Sequence, residues 1–192
     1  IKKSDVVITN FKHGDSKRFQ LSYNDCKTIN PEVIYAHIGG FKSNPKRVAF
    51  DVVLQAETGF LSMCGTLNEF AKMPVALIDV LAAHQIKEGI LIALLKREKT
   101  GKGCLIKTTL EETAIASLMN QSSNYLMAKH NPKKLGTLHP NIAPYGDIIN
   151  CMEGTKLILA IGTDKQFVSF CELIKLNASI DFNTNQKRVA KR

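Results

Sequence analysis

Residues 4–10 form a short β-branched run, with Val6, Val7, Ile8 and Thr9, that ends on the turn-prone Asn10 ahead of Gly14. This pattern predicts a buried strand running into a loop. Residues 23–29 predict one or two helical turns capped by Ser22 or Asn24, and Pro31 stops them before a second apolar run, Val33 to Ile38. Strand, helix and strand in this order predict a parallel unit. Gly39 to Pro45 reads as a loop, and apolar positions from Val48 to Cys64 recur at helical spacing and predict a mostly buried helix. The strongest helical pattern runs from Ala76 to Arg97. Lys96, Arg97 and Lys99 suit the negative end of its dipole, and Gly101 and Gly103 end it.

Residues 104–109 predict another strand, and Leu110 to Ala128 another helix with Glu111 and Glu112 in its favourable first turn. His130, Pro132, Gly136, Pro140 and Pro144 then mark a long loop or linker. Beyond it, residues 145–151 and 156–161 predict a hairpin around Glu153-Gly154, and residues 164–173 a helix capped by Thr163 or Asp164. The polar, basic residues 183–192 are expected to stop without packing against anything. The fold class is therefore α/β, with a boundary near residue 130.

Composition narrows the reading. A chain of 192 residues that is 44% apolar buries a core, which excludes intrinsic disorder. The 26 basic and 17 acidic residues leave a net charge of +9, which favours an anionic partner. Five cysteines without pairing or Cys-x-x-Cys spacing fit a reducing compartment, and a cytoplasmic location is expected. The longest apolar stretch, Ile86 to Leu95, is broken by Lys87 and Glu88 and is far shorter than the roughly 20 residues a bilayer span needs. No membrane partner is expected.

Two carboxylates stand in apolar surroundings. Asp79 sits in the first turn of the strongest helix, where burial would raise its pKa and the helix dipole would lower it. It reads either as a dipole-satisfying Asp or as a nucleophile or acid/base. Asp51, between Phe50 and Val52, reads either as a partner of Arg47 or as a second functional acid. The histidines at 13, 37, 84, 130 and 139 show no ligand spacing, so no metal site is expected, and His84 reads as helix packing. Nucleophile elbows and the glycine fingerprints of NTPases and dinucleotide enzymes are absent. The Lys99 to Gly103 stretch follows a helix where a phosphate loop would precede one, so it reads as a C-cap.

Five stretches in order carry a resemblance. They are Asp5 to Phe11 with Gly14 and Arg18; Asn30 to Tyr35 with Gly40-Phe41; Phe50 to Ala56 with Gly59; Pro74 to Gly103; and Leu135 to Tyr145. Together they resemble the family III CoA-transferases, a superfamily that includes formyl-CoA transferase, carnitine CoA-transferases and α-methylacyl-CoA racemase. The resemblance implies that residues 1–129 are part of a Rossmann-like, parallel-sheet large domain that binds CoA. Residues 130–144 become a linker and active-site loop, and residues 145–192 the start of a smaller α+β domain.

It further implies that Asp79 is the nucleophile, passing through an aspartyl anhydride and an aspartyl-CoA thioester. Asp51 falls where transferases carry a second active-site carboxylate, and Phe50 where the racemase carries a catalytic histidine, so transfer is favoured over α-proton exchange. Asn10 and Arg18 match CoA-contacting positions, Arg47 borders the thioester site, and Gly136 and His139 fall in the mobile substrate loop. Coenzyme A or acyl-CoA enters as substrate with a carboxylic acid as its partner, and no permanently bound cofactor is expected. Family subunits form an interlocked homodimer from longer chains, so this chain is expected to be a central fragment, inactive or poorly folded unless complemented. Two alternatives stay open: a racemase or epimerase on the same scaffold, and a basic binding module without chemistry. The latter predicts steep salt dependence on nucleic acid, for which 7% aromatic content without Trp offers little stacking surface.

Overall fold

The computed structural model describes every residue except Ala178. The chain divides into two compact units, Ile1–Ser62 with Ala71–Asn131, and Met63–Phe70 with Pro132–Arg192. In the first unit β1 (Val6–Thr9) is followed by α1 (Asp15–Arg18), α2 (Tyr23–Ile29) and β2 (Ile34–Gly39). Next come α3 (Asp51–Glu57), α4 (Phe60–Met63), α5 (Leu77–Thr100), β3 (Leu105–Thr109), α6 (Leu110–Ala116) and α7 (Asn120–Ala128). The three strands form one parallel sheet in the order β1-β2-β3.

Local chemistry explains these elements. Ser22 caps α2 through a capping box in which Asp25 Oδ2 accepts the Ser22 N–H at 2.9 Å. Gly101 closes α5 in the left-handed region, donating its N–H to Arg97 O at 2.7 Å. The buried residues of this unit form two clusters. Tyr35 and Val33 pack with Cys26 of α2, while Phe41, Leu54, Ile78 and Ala114 join α3, α5 and α6 in a second cluster.

Two expected helices are shorter than their apolar spacing suggests. The run from Val48 begins its helix only at Asp51, and Gly59 at φ +97° separates α3 from α4. Val48, Phe50 and Val52 are exposed, so this segment is not mostly buried. The run from Leu110 breaks between Ala116 and Asn120, where Met119 takes a positive φ of 50°. Helical spacing of apolar residues does not reveal such a break, because α6 and α7 each keep that spacing on their own.

The second unit pairs β4 (Tyr145–Asn150) antiparallel with β5 (Lys156–Ala160), joined through a 3-10 turn at Met152–Gly154. Thr163 caps α8 (Asp164–Leu173), and α9 (Asn185–Ala190) follows. The basic tail was expected to pack against nothing, and the structure corrects this. Arg188 is buried, its planar guanidinium 4.4 Å over the Phe167 ring and bonded to Asp164 Oδ1 at 2.6 Å. It also donates to the carbonyls of Ala143 (2.6 Å) and Phe182 (2.8 Å). Arg192 reaches the carbonyls of His139, Ile142 and Tyr145 and the carboxylate of Asp147. A fixed, planar fork of donors thus turns two tail cations into structural ties.

Candidate active site

Asp51 opens α3, and its two oxygens have different partners. Oδ2 accepts from Gln55 Nε2 at 2.5 Å, and Oδ1 accepts the backbone N–H of Ile78 at 2.8 Å. Gln55 is fully buried and accepts the Met73 N–H at 2.8 Å, so Asp51 and Gln55 together tie the first turn of α5 to α3. The sequence left Arg47 open as the partner of Asp51. Instead Arg47 forms a two-pronged ion pair with Glu57 and lies 4.3 Å over the Phe41 ring.

Asp79 follows Ile78 in that same turn. It lines a cleft and is open to it, yet its carboxyl lies above the ordinary 3.8; partial burial is the main cause, and the Asp51 charge adds to it. A raised acid favours the protonated form in the folded chain, so stability falls as pH rises from the ordinary Asp range through the raised value. The Asp51→Asn substitution is expected to lower the titration midpoint of Asp79 toward 3.8, followed by NMR of the carboxyl carbon. An unmoved midpoint would show that Asp51 plays no part in the shift.

The cleft holds about 1060 Å³ and lies entirely in the first unit, past the carboxyl ends of the parallel strands. Asn10, Arg47, Asp51 and Asp79 all line it. So do Lys12, Lys17, Lys46 and Lys107, none of which makes an ion pair among the described residues. Lys42, also on the rim, pairs with Glu112 at 2.5 Å. Sequence reading missed this lysine rim. Its signal was present, because the loops after β1 and β2 and the strand β3 each carry a lysine, but only the parallel pairing puts them on one rim.

The loop that carries Lys42, Lys46 and Arg47 is held from below. Glu111 accepts the N–H groups of Lys42 (2.8 Å) and Ser43 (3.0 Å) and the Ser43 hydroxyl (2.7 Å). These bonds, those to Ser43 foremost, hold the Glu111 carboxyl below its ordinary value.

Other expected site residues lie elsewhere. Arg18 is not in the cleft lining; it pairs with Asp15 at 3.6 Å and sits 4.6 Å over Phe19. Gly136 and His139 belong to the second unit. There Gly136 has φ +61°, and the His139 ring meets Tyr145 edge-on at 5.4 Å while its Nδ1 accepts the Asn141 N–H at 3.1 Å. His84 is exposed beside Lys87 at 2.9 Å, so it does not serve helix packing. No group of three or more His, Cys, Asp or Glu side chains able to hold a metal occurs among the described residues, and no helix is long and apolar enough to cross a membrane.

A parallel α/β sheet whose strand ends open onto a lysine-rimmed cleft, with an acid pair at a helix start, defines an α/β protein whose cleft presents positive charge. The chain belongs to the CoA-transferase family III, whose family model matches residues 1–192. It is 34% identical over 197 residues to a succinate–glutarate CoA-transferase of Agrobacterium fabrum, covering 99% of this chain and 49% of that one. It is 30% identical over 195 residues to the succinyl-CoA:glutarate CoA-transferase of Homo sapiens, covering 98% and 44%. Among solved structures, a CAIB/BAIF family protein from Brucella suis superposes with a TM-score of 0.80 at 35% identity, covering 100% of this chain and 52% of that chain. Rv3272 from M. tuberculosis, at a TM-score of 0.82 and 22% identity, shares the fold, with 98% and 50% covered. The chain spans about half the length of the curated relatives it matches.

Proposed function

We propose that the protein moves CoA from an acyl-CoA to a carboxylic acid, with Asp79 as nucleophile. The observation that carries this reading is the acid pair at the start of α5, where Asp51 holds the Ile78 N–H beside an Asp79 open to the lysine-rimmed cleft. An Asp79 oxygen attacks the thioester carbonyl, the C–S bond breaks, and CoA leaves as thiolate, with a mixed acyl–aspartyl anhydride left on the protein. The thiolate then attacks the aspartyl carbonyl, releasing the donor acid as carboxylate and leaving an aspartyl thioester. The acceptor carboxylate attacks that thioester, and the thiolate released takes the new acyl group, which frees Asp79. Anhydride and thioester are both activated acyl species, so no step needs an added energy source.

The lysines offer complementary charge to the phosphates of CoA. The names of the relatives, succinate, glutarate and mesaconate transferases, support a short dicarboxylic acid as acceptor. Label exchange from succinyl-CoA into glutarate, compared with acetate, tests both parts. Preference for glutarate is the expected result, equal use of acetate would remove the dicarboxylate reading, and no exchange with any acid would remove CoA transfer.

A further inference from the structure

Parallel register sets Thr9, His37 and Lys107 side by side across β1, β2 and β3. Their side chains therefore emerge on one face of the sheet. His37 lines the cleft, as do Lys107 and Gly39. Its Nδ1 lies 3.0 Å from the Thr9 hydroxyl. The Tyr35 hydroxyl donates to Leu21 O at 2.7 Å, and the Thr9 hydroxyl donates toward Tyr35 at 3.4 Å. Each donor in this chain is directed away from the imidazole, which leaves the Thr9 oxygen free to accept from Nδ1–H. The ring's other nitrogen is then left as an acceptor. Gly39, two residues along the same face, carries no side chain beside that nitrogen; a Cβ there would stand 3.9 Å from Nε2.

We propose that His37 contacts bound CoA, its ring held at Nδ1 by Thr9 and its Nε2 accepting an N–H of the CoA moiety. This inference rests on the CoA reading of the cleft. CoA carries such donors in two places, the pantetheine amides and the exocyclic amine of adenine. Thr9 is a positioning residue, acting through the orientation of the ring. Partial burial first, and then the charge of the cross-strand neighbour Lys107, lower the His37 pKa, which suits a neutral imidazole that accepts.

The test measures binding of CoA, pantetheine and adenosine 3′,5′-bisphosphate to the chain and to its His37→Leu and His37→Gln variants, with a thermal melt of each. His37→Leu is expected to weaken CoA by about three- to tenfold, the range of one hydrogen bond lost on binding. His37→Gln, whose amide oxygen can reach the place of Nε2, is expected to restore most of it. A matching loss with pantetheine alone names the amides as donors, and a matching loss with the bisphosphate alone names adenine. Unchanged CoA binding in His37→Leu would overturn the inference, as would equal weakening by Leu and Gln. If His37→Leu does not melt cooperatively, Thr9→Val takes its place, removing the hydroxyl 3.0 Å from Nδ1, and is expected to weaken CoA; unchanged binding there also overturns it. Failure of the unsubstituted chain to bind any of the three ligands would instead overturn the CoA reading of the cleft, and the inference with it.

Discussion

Replacing Asp79 by Asn is expected to lower CoA transfer by at least about 10³-fold, because it removes the proposed nucleophile while the fold keeps its shape. Asn matches Asp in volume, and residue 79 is open to the cleft, so the substitution costs little stability. Asp51→Asn should behave differently. Its amide oxygen can still accept the Ile78 N–H, but its amide nitrogen then faces the Gln55 Nε2 donor, and the charge that helps lift Asp79 is gone. A loss of about tenfold to a hundredfold is expected from altered positioning and protonation. Both measurements use label exchange between acyl-CoA and acid, made on the chain together with whatever flanking sequence its gene supplies. Hydroxylamine trapping supplies the direct check, since an aspartyl anhydride or thioester becomes a hydroxamate on the peptide that holds Asp79. Transfer that survives Asp79→Asn within tenfold, or a hydroxamate on another residue, would sink the mechanism.

The second large effect lies in the basic tail. Arg188→Met should destabilise the second unit by about 2–4 kcal/mol, the range expected when two backbone carbonyls lose their donor at about 1–3 kcal/mol each. The loss does not come mainly from Asp164, which is half exposed and can be solvated when its partner leaves. It comes from the carbonyls of Ala143 and Phe182, which lose their donors, and from the stacking surface of Phe167. The exposed pair Lys191–Asp181, at 3.0 Å, is the internal control, and Lys191→Ala should cost no more than about 1 kcal/mol. Urea unfolding followed through hydrogen exchange of the β4 and β5 amides separates the two variants. An Arg188→Met cost as small as that of Lys191→Ala would show that the tail is held by something other than this arginine.

Ties from Arg188 and Arg192 converge on residues 139–145. Six hydrogen bonds between that segment and the side chains of α9 and the tail would have to open for it to swing as the mobile loop the family resemblance implies: four to the arginines, one from the Ala143 N–H to Asn185 Oδ1 at 3.0 Å, and one from Asn185 Nδ2 to Asn141 O at 2.9 Å. A segment held in this way is a strap fastened by α9. The composition of residues 130–144, rich in Pro and Gly, identified a loop but carried no information about what fastens it, because the fastening residues lie more than 40 positions away.

Much of the architecture was legible before any coordinates. β-branched runs bounded by Asn, Gly and Pro located β1, β2 and β3, since those residues either extend the chain or break it whatever the surroundings. Capping chemistry located the starts of α2 and α8, because Ser22–Asp25 and Thr163–Gln166 satisfy orphan N–H groups within four residues of sequence. An apolar helix opening with a carboxylate singled out Asp79 for the same reason: an unusual residue in a regular pattern is visible without a partner. Tertiary structure alone decided who partners whom. Arg47 could have met Asp51 four residues away, yet it meets Glu57, because α3 presents Glu57 to it while Asp51 turns to the N-terminus of α5. The lysine rim, the Thr9–His37–Lys107 row and the buried Arg188 all join residues far apart in the chain. Local sequence fixes backbone preferences through sterics and short-range hydrogen bonds. Which charges and rings finally meet depends on strand register and helix packing, and those are settled only when the whole core is buried together.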